Sequence, residues 1–337
     1  MTVPSLDITL TPNVYKVAYQ YHPMLVACTK RIPSARYQAD AKYWEVAIVD
    51  AQYLRIMAKW AQDKGYVRMV RWMKDEEPVV SYEPLPMPEL SVPHNLLVQP
   101  YDYQKEGIAY ALQKKRCIIG DEPGLGKTAQ AIGTLTASGA FPALVICPAS
   151  LKVNWQREFK KFGGIDSVIL DDSNRSVWQN LLTMKRNDGK PLCQVIITNY
   201  ESLKKFFVRR LVRQERFTMK SIEFDQRVKL FRSIIIDESH KCKSNKTQQS
   251  KFVQGIAEGK EYVLELTGTP VVNNNEDLVQ QLRIMDRLGD FGGYQKFVGR
   301  YCQGLNKSSH VKELNLRLRN TCFFRRQKKD VLTQLPD

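Results

Sequence analysis

A glycine-rich stretch between an apolar segment and a helix-like segment is suited to chemistry on phosphate groups. In residues 121–128 the glycines let backbone N–H groups turn inward around phosphate oxygens, and the helix N-terminus that follows adds its positive dipole end. Lys127 is placed to reach the terminal phosphates, and the Thr128 hydroxyl is placed to bind Mg²⁺. The generic pattern has glycine where this chain has Asp121, so the short motif alone leaves an ordinary turn before a helix open.

Two adjacent carboxylates later in the chain complement the phosphate loop. Asp237 and Glu238 directly follow residues 233–236, which have the composition of a buried strand. Asp237 is suited to hold Mg²⁺ through its water shell, and Glu238 is suited to polarise the attacking water. An apolar run ending in two carboxylates is by itself a common strand exit. Together with Lys127 upstream, these residues form the predicted catalytic set, with ATP and Mg²⁺ as the expected cofactors.

The elements that must position these residues alternate between apolar strands and helices. Continuous apolar runs, each followed by a helix-like segment, are typical of a parallel sheet that is covered on both faces. The sequence therefore predicts an α/β fold with a doubly wound parallel sheet and a ligand at the carboxyl ends of its strands. The predicted strands are residues 117–120, 143–147, 167–170, 194–198, 233–236 and 262–266, and the predicted helices are residues 129–136, 150–162 and 177–185.

Composition divides the chain into three predicted parts. Residues 1–75 are predicted to form a small α+β module, with strand-like alternation at 14–21 and helical spacing at 51–64. Residues 76–96 are acidic and rich in proline, which disfavours continuous helix or central strand, so they are predicted to form an interdomain linker. Residues 97–337 contain the phosphate loop and are predicted to form the nucleotide-binding lobe.

The charge balance favours a polyanionic partner. The chain has 51 Lys and Arg against 35 Asp and Glu, a net charge of +16. Nucleic acid is the first candidate, although a merely soluble basic surface gives the same count. The seven cysteines lack a C-x-x-C pair, so neither zinc nor a disulfide framework is indicated and a reducing intracellular compartment is expected. No apolar run is long enough for a membrane span, and the N-terminus lacks the pattern of a signal peptide.

Six motifs in order resemble those of the first RecA-like lobe of superfamily-two nucleic-acid motors, specifically the Swi/Snf-type double-strand DNA translocases. They lie at residues 101–107, 121–128, 147–155, 198–201, 237–240 and 266–270. The resemblance runs from Leu97 to Pro336. The family's own form of the phosphate loop lacks the first glycine, which accounts for Asp121. Ser239 in the fifth motif argues against the DEAD-box RNA unwinders, which have alanine at that position.

The resemblance implies roles for three groups of residues. Gln104 is implied to read the adenine edge, and the coupling of nucleotide state to DNA grip is implied for His240, Thr267 and Thr269. The implied nucleotide contacts are Gln104, Glu122, Gly124, Leu125, Gly126, Lys127 and Thr128. The implied DNA contacts are Ser150, Lys152, Asn154, Trp155, Thr198, Tyr200 and Lys243.

A shorter resemblance concerns the N-terminal module. Residues 32–37 and the following 42–46 resemble the HepA-related (HARP-type) substrate-recognition module found beside annealing-helicase motors. Aromatic residues alternate with cations in this stretch, which fits a surface where rings stack on bases and cations meet phosphates. The same aromatic residues also fit a small hydrophobic core, and for Trp44 we favour the core interpretation.

A basic segment at residues 204–232 separates the fourth motif from the fifth. A solvated helical face and a contact with a duplex backbone explain such a segment about equally well, and the second would make binding sensitive to salt. The cations that define it are Arg209, Arg210, Arg213, Arg216, Lys220, Arg227 and Lys229.

The leading hypothesis is an ATP-dependent translocase on double-stranded or branched DNA, of the annealing-helicase or fork-remodelling type. The family implies a second RecA-like lobe with arginine fingers. We find no such lobe in this sequence, so the chain is expected to be a fragment or to use a lobe from another chain, and to hydrolyse ATP poorly alone. The alternatives are a non-motor DNA-binding or scaffold protein with a vestigial nucleotide lobe, and an RNA-directed helicase. The expected location is nuclear in a eukaryote, or cytoplasmic and nucleoid-associated in a bacterium or phage.

Overall fold

The computed structural model describes residues 5–11, 14–74, 86–189, 191–212, 214, 217–268, 275–303 and 308–331. The chain divides into two compact units, residues 1–81 and residues 82–337. Within the predicted linker, residues 86–96 form neither helix nor strand, and residues 75–85 lie outside the described residues. In the described ranges, every helix falls short of the length and apolar character needed to cross a bilayer.

The smaller unit contains a five-stranded sheet with two helices. The strands have the order β3-β4-β2-β1-β5; β1 pairs with β5 in parallel, and the other pairs are antiparallel. Buried residues alternate along β1 and β2, and the buried residues of α2 recur at helical spacing, so both elements bury one face in a common core. The elements are β1 (Ser5–Leu10), β2 (Val14–Tyr19), α1 (Pro23–Lys30), β3 (Arg36–Gln38), β4 (Tyr43–Ala47), α2 (Ala51–Asp63) and β5 (Met69–Lys74).

The larger unit is organised around a seven-stranded parallel sheet with the strand order β14-β6-β13-β12-β7-β9-β8. Two further strands, β10 and β11, form a separate antiparallel hairpin. The strands are β6 (Arg116–Ile119), β7 (Ala143–Cys147), β8 (Ser167–Ile169), β9 (Val195–Asn199), β10 (Val208–Leu211), β11 (Ile222–Phe224), β12 (Ser233–Asp237), β13 (Tyr262–Leu266) and β14 (Phe323–Phe324). The helices are α3 (Asp102–Lys114), α4 (Lys127–Ser138), α5 (Lys152–Gly163), α6 (Trp178–Thr183), α7 (Leu203–Phe207), α8 (Gln248–Ala257), α9 (Asp277–Ile284), α10 (Gly293–Tyr301), α11 (Val311–Thr321) and α12 (Lys328–Val331).

Apolar residues on the central strands point alternately into two core layers, one on each face of the sheet. On β7, Leu144 and Ile146 lie in one layer while Val145 lies in the other. On β12, Ile234 and Ile235 are divided in the same way. A strand that is covered on both faces favours apolar residues at successive positions, which explains the continuous runs in the sequence. The doubly wound parallel α/β fold predicted above is confirmed.

The basic segment at residues 204–232 does not form the helical face considered above. It contains the short helix α7 and then the hairpin of β10 and β11, whose strands pair Val208 with Phe224. The ring of Phe224 packs against Gly255 of α8, where a Cβ atom would lie 2.2 Å from the ring. A short strand with this apolar contact is favoured over an exposed helix because its aromatic residue is partly buried against α8. Arg213 and Arg216 lie outside the described residues.

Candidate active site

The phosphate loop leaves the sheet at the carboxyl end of β6 and leads directly into α4. Gly124 and Gly126 have φ angles of 92° and 73°, in the left-handed region that favours glycine. A Cβ atom on Gly126 would lie 2.3 Å from Nε2 of Gln104, so a side chain there would displace the Gln104 amide from its present position. The loop therefore turns its backbone towards the N-terminus of α4, the arrangement that binds anions.

A cavity of about 660 Å³ opens beside this loop at the carboxyl edge of the sheet. Its volume lies within the range of small-molecule sites, which is roughly 300–1,000 Å³. It brings together residues from four of the six motifs, because parallel strands end at the same edge. Its lining includes Tyr101, Gln104, Gly124, Gly126, Lys127, Thr128, Asn154, Trp155, Asp237 and Glu238.

Two members of the predicted nucleotide set do not line this cavity with their side chains. Leu125 is fully buried beneath the loop with Tyr103 and Val331, and its carbonyl oxygen accepts a bond of 3.3 Å from Nε2 of Gln104. The Glu122 side chain accepts a bond of 2.8 Å from the backbone N–H of Lys328. Both residues shape the loop from the side that faces away from the cavity.

The Lys127 ammonium group lies against the backbone of its own loop. Its Nζ donates to the carbonyl oxygen of Asp121 at 2.8 Å and to that of Glu122 at 3.4 Å. Burial lowers the pKa of Lys127, whereas the carboxylates of Asp121, Glu238 and Asp237 act in the opposite direction. The side chain is thus held at the cavity by weak, exchangeable contacts with carbonyl oxygens.

Asp237 is held at the end of β12 by three hydrogen bonds. Nε1 of Trp155 donates to Oδ2 at 2.8 Å, and the Glu238 N–H donates to Oδ1 at 3.0 Å. The Tyr200 hydroxyl donates to the Asp237 carbonyl oxygen at 2.6 Å. Burial raises the pKa of Asp237, and the Trp155 hydrogen bond partly opposes this rise. A carboxylate that is partly desolvated in this way gains from a nearby cation.

Glu238 and His240 link the carboxylates at the end of β12 to Thr267, which follows β13. Glu238 adopts φ 54° and ψ 49°, a left-handed conformation that is rare for a residue with a side chain and that is concentrated at functional sites. Nδ1 of His240 lies 3.2 Å from Oε2 of Glu238 and 3.2 Å from Oγ1 of Thr267. The histidine therefore bridges two of the predicted motifs. Thr269 lies outside the described residues.

The predicted DNA contacts fall into two groups. Ser150 and Asn154 are exposed, and Lys152 and Lys243 are half-buried. In contrast, Trp155, Thr198 and Tyr200 are only 1%, 0% and 2% exposed. Direct contacts of these three side chains with DNA do not fit their burial, so for them the DNA assignment stays a prediction without an accessible side chain to support it. Trp155 and Tyr200 instead hold Asp237, and Asn154 and Trp155 line the nucleotide cavity.

A buried ion pair behind the loop was missed from the sequence. Asp121 is completely buried, and its Oδ2 lies 2.7 Å from Nη2 of Arg326. Gln130 of α4 also donates to this carboxylate, at 2.9 Å. The available signal was Asp121 itself, because a carboxylate in place of glycine at a buried loop requires a cationic partner.

Comparison with known proteins identifies the family. Residues 66–337 match the model of the SNF2-related domain. The Caenorhabditis elegans homolog of SWI/SNF-related matrix-associated actin-dependent regulator of chromatin subfamily A-like protein 1 is 26% identical, over 95% of this chain and 44% of its own length. The human DNA annealing helicase and endonuclease ZRANB3 is 30% identical, over 73% of this chain and 22% of its own length.

A solved structure gives the same assignment. The Sulfolobus solfataricus SWI2/SNF2 ATPase core in complex with dsDNA aligns with a TM-score of 0.56 at 26% identity, covering 74% of this chain and 49% of that one. The chain thus spans less than half the length of these relatives. The RecA-like fold and the Swi/Snf resemblance predicted from the motifs are confirmed. The chain belongs to the SNF2-related domain family.

Proposed function

We propose that this chain is the ATP-binding half of an ATP-dependent translocase on double-stranded or branched DNA, of the annealing-helicase or fork-remodelling type. The observation that carries the proposal is the shared cavity of Gln104, Lys127, Asp237 and Glu238 at the carboxyl edge of the sheet. The relatives named above support the DNA substrate, since one is titled an annealing helicase and another was solved with dsDNA.

ATP binding begins with groups that already face the cavity. The backbone of residues 124–128 and the N-terminus of α4 receive the phosphates, and Lys127 exchanges its carbonyl partners for phosphate oxygens. The adenine lies towards Gln104 and Tyr101. The Tyr101 ring stacks on the Tyr103 ring at a centroid distance of 5.8 Å. Tyr103 is buried beneath it, so the Tyr101 ring alone faces the cavity as an aromatic surface for the base.

The residues present fit Mg²⁺. The described residues include no cluster of three or more His, Cys, Asp or Glu side chains that could hold a metal. Mg²⁺ at nucleotide sites does not need such a cluster, because one or two protein oxygens, water and phosphate complete its shell. Asp237 and the Thr128 hydroxyl supply hard oxygen ligands in the same cavity. Bound Mg²⁺ would neutralise charge on the phosphates.

In the hydrolysis step, Glu238 orients and polarises the attacking water, while Asp237 stays ionised to hold the metal. His240 contacts both Glu238 and Thr267, so a change at the carboxylate reaches the residue that follows β13 through one side chain. We assign the coupling of nucleotide state to DNA grip to this path, with Thr269 as a further predicted member.

DNA binding is proposed for the larger unit through its exposed cations and polar groups. Ser150, Asn154, Lys152 and Lys243 are the predicted positions that remain accessible, fully or in part. Lys243 lies 3.8 Å from Asp277, a weak pair that a phosphate can replace. The net charge of +16 supports this partner.

Residues 1–75 are proposed to recognise branched DNA as a HARP-like module, with residues 76–96 as the linker and residues 97–337 as the motor lobe. Trp44 lies in the core of the small unit, whereas Tyr37 and Tyr21 are 52% and 78% exposed. Together with Lys30 and Lys42, these rings line a cavity of about 670 Å³. Exposed rings beside cations are the usual platform for unpaired bases.

A second RecA-like lobe is proposed to supply the arginine that completes catalysis. The absence of such an arginine lowers turnover by roughly 10³ to 10⁵ in related phosphoryl-transfer enzymes. We therefore expect a polypeptide without such a lobe to bind ATP and DNA but to hydrolyse ATP slowly. We propose a nuclear location in a eukaryotic host and a nucleoid-associated one in a bacterium or phage.

The test of this function is the substitution Glu238→Gln. ATP binding and DNA binding are expected to persist while turnover falls by about 100-fold, because the water loses its polarising group. Turnover is measured with fork DNA, duplex DNA and RNA as stimulants, in the longest native polypeptide that contains this chain. Unchanged turnover would show that Glu238 is not the base, and stimulation by RNA alone would favour the RNA-directed alternative.

A further inference from the structure

A forked ion pair lies directly behind the phosphate loop and has no part in the chemistry proposed above. Nη2 of Arg326 donates to Oδ2 of Asp121 at 2.7 Å, and Nε donates to Oδ1 at 3.2 Å. The backbone N–H of Arg326 donates to the same Oδ1 at 2.9 Å. Arg326 is about nine-tenths buried and Asp121 is fully buried. Two parallel charge-assisted bonds in this geometry fix both position and orientation.

The remaining donors of Arg326 reach two helices that border the nucleotide cavity. Nη2 also donates to Oε1 of Gln130 on α4 at 2.9 Å, and Nη1 donates to the carbonyl oxygen of Tyr103 on α3. The guanidinium lies over the ring of Phe324, with its carbon 4.9 Å from the centroid. One side chain therefore joins the adenine-side helix, the loop, the phosphate-side helix and the last strand.

The backbone on both sides of Asp121 is bonded to the same C-terminal segment. The Gly120 N–H donates to the Phe324 carbonyl oxygen at 2.8 Å, and the Glu122 N–H donates to the Arg326 carbonyl oxygen at 3.1 Å. The backbone N–H of Lys328 adds a hydrogen bond to the Glu122 carboxylate. A displacement of the loop must consequently displace residues 323–331, or break these bonds.

The charge of Asp121 makes this arrangement necessary for a loop that receives phosphates. A buried carboxylate without a partner is costly and would repel an anionic ligand. It would also attract Lys127, whose Nζ is already 2.8 Å from the Asp121 carbonyl oxygen. By neutralising Asp121, Arg326 leaves the lysine charge available to the nucleotide.

We propose that Arg326 is a positioning residue of the nucleotide site, and that it transmits the nucleotide state of the phosphate loop to residues 323–331. The proposal rests on the ATP-binding function proposed above. It assigns to residues 323–331 a role in sensing the nucleotide.

The first test measures the affinity of the full chain for a fluorescent ATP analogue with Mg²⁺. Arg326→Gln is expected to lower this affinity by about 10-fold or more, because it leaves a buried carboxylate unpaired beside Lys127. Adding Asp121→Asn is expected to restore most of the loss, because it removes that unpaired charge. The matched control is Arg300→Lys, which breaks a similar forked pair with Glu313 in the same unit and should leave ATP affinity unchanged.

The second test separates positioning from stability and remains informative if Arg326→Gln does not fold. Hydrogen exchange of the wild-type chain is compared with and without ATP and Mg²⁺. Residues 323–331 are expected to gain protection when ATP binds, and Arg326→Lys should lose this response while the melting temperature without ATP changes no more than in Arg300→Lys. An absent response in the wild type, or a failure of Asp121→Asn to rescue, would overturn the inference.

Lys127→Ala distinguishes the two levels of the proposal. If this substitution leaves ATP affinity unchanged, the proposed nucleotide site is wrong and the role of Arg326 is wrong with it. If Lys127→Ala abolishes ATP binding while Arg326→Gln behaves like the Arg300→Lys control, the function stands and only the positioning role is rejected.

Discussion

The larger unit contains two sets of predicted site residues, those of the nucleotide cavity and those predicted to contact DNA. The two sets differ in where their side chains lie. At the cavity, loop, strand ends and helix N-terminus converge, and the predicted side chains meet. Among the predicted DNA contacts, Trp155, Thr198 and Tyr200 are buried and only the others reach the surface. The difference teaches that a motif can be functional because it supports a neighbouring site, as Trp155 and Tyr200 support Asp237.

The substitution with the largest expected effect is Lys127→Ala, which removes the cation of the cavity. ATP affinity is expected to fall by at least about 100-fold, because a buried charge contact with phosphate is lost. DNA affinity without nucleotide should be unchanged if cavity and DNA surface are separate. Equilibrium binding of ATP and of fork DNA checks both, with Lys160→Ala as the control, since Lys160 pairs with Asp166 on the surface.

Trp155→Phe tests whether this buried residue serves the cavity or the DNA. A smaller aromatic ring replaces the indole and the bond to Asp237 is lost, so ATP turnover should fall by about 10-fold while DNA affinity stays constant. Asp237 must be ionised to hold Mg²⁺, and loss of the bond raises its already elevated pKa further. As the pH is lowered, Mg²⁺-dependent ATP binding should therefore be lost at a higher pH in the variant than in the wild type. A loss of DNA affinity instead would restore the original DNA assignment.

Local sequence patterns were enough to place the cavity residues together, but not to place the residues behind them. Lys127 and Asp237 were predictable because parallel strands end at one edge, so local patterns are enough to bring them together. Asp121 and Arg326 lie 205 positions apart in the sequence, and no local pattern indicates that they form a pair. Trp155 was predicted to contact DNA, although its spacing from Phe159 already indicates the buried face of α5.

Lys152→Gln tests a predicted DNA contact whose side chain is half-buried. DNA affinity is expected to fall by about 3-fold, and the slope of log affinity against log salt should decrease by about 1, because one phosphate contact is lost. ATP affinity should not change. Salt titrations of duplex DNA binding provide the measurement, and an unchanged slope would remove Lys152 from the DNA surface.

Thr198→Val has the smallest expected effect. The Thr198 hydroxyl is fully buried, and within the described part of the chain it has no hydrogen-bond partner. Replacing it with a methyl group removes an unsatisfied polar atom, so the free energy of unfolding should stay within about 1 kcal/mol of wild type or rise slightly. The DNA affinity of Thr198→Val should equal that of the wild type. Denaturant unfolding and DNA titration check this, and weakened DNA binding at equal stability would contradict the burial argument.

The most direct test of the central claim is the affinity for fork DNA with and without ATP and Mg²⁺, measured for this chain and for the longest native polypeptide containing it. If the cavity belongs to a motor, Glu238→Gln with ATP should bind fork DNA with an affinity clearly different from that without nucleotide, through His240 and Thr267. ATP binding that leaves DNA affinity identical in both polypeptides would contradict the translocase and favour a DNA-binding scaffold with a vestigial nucleotide lobe.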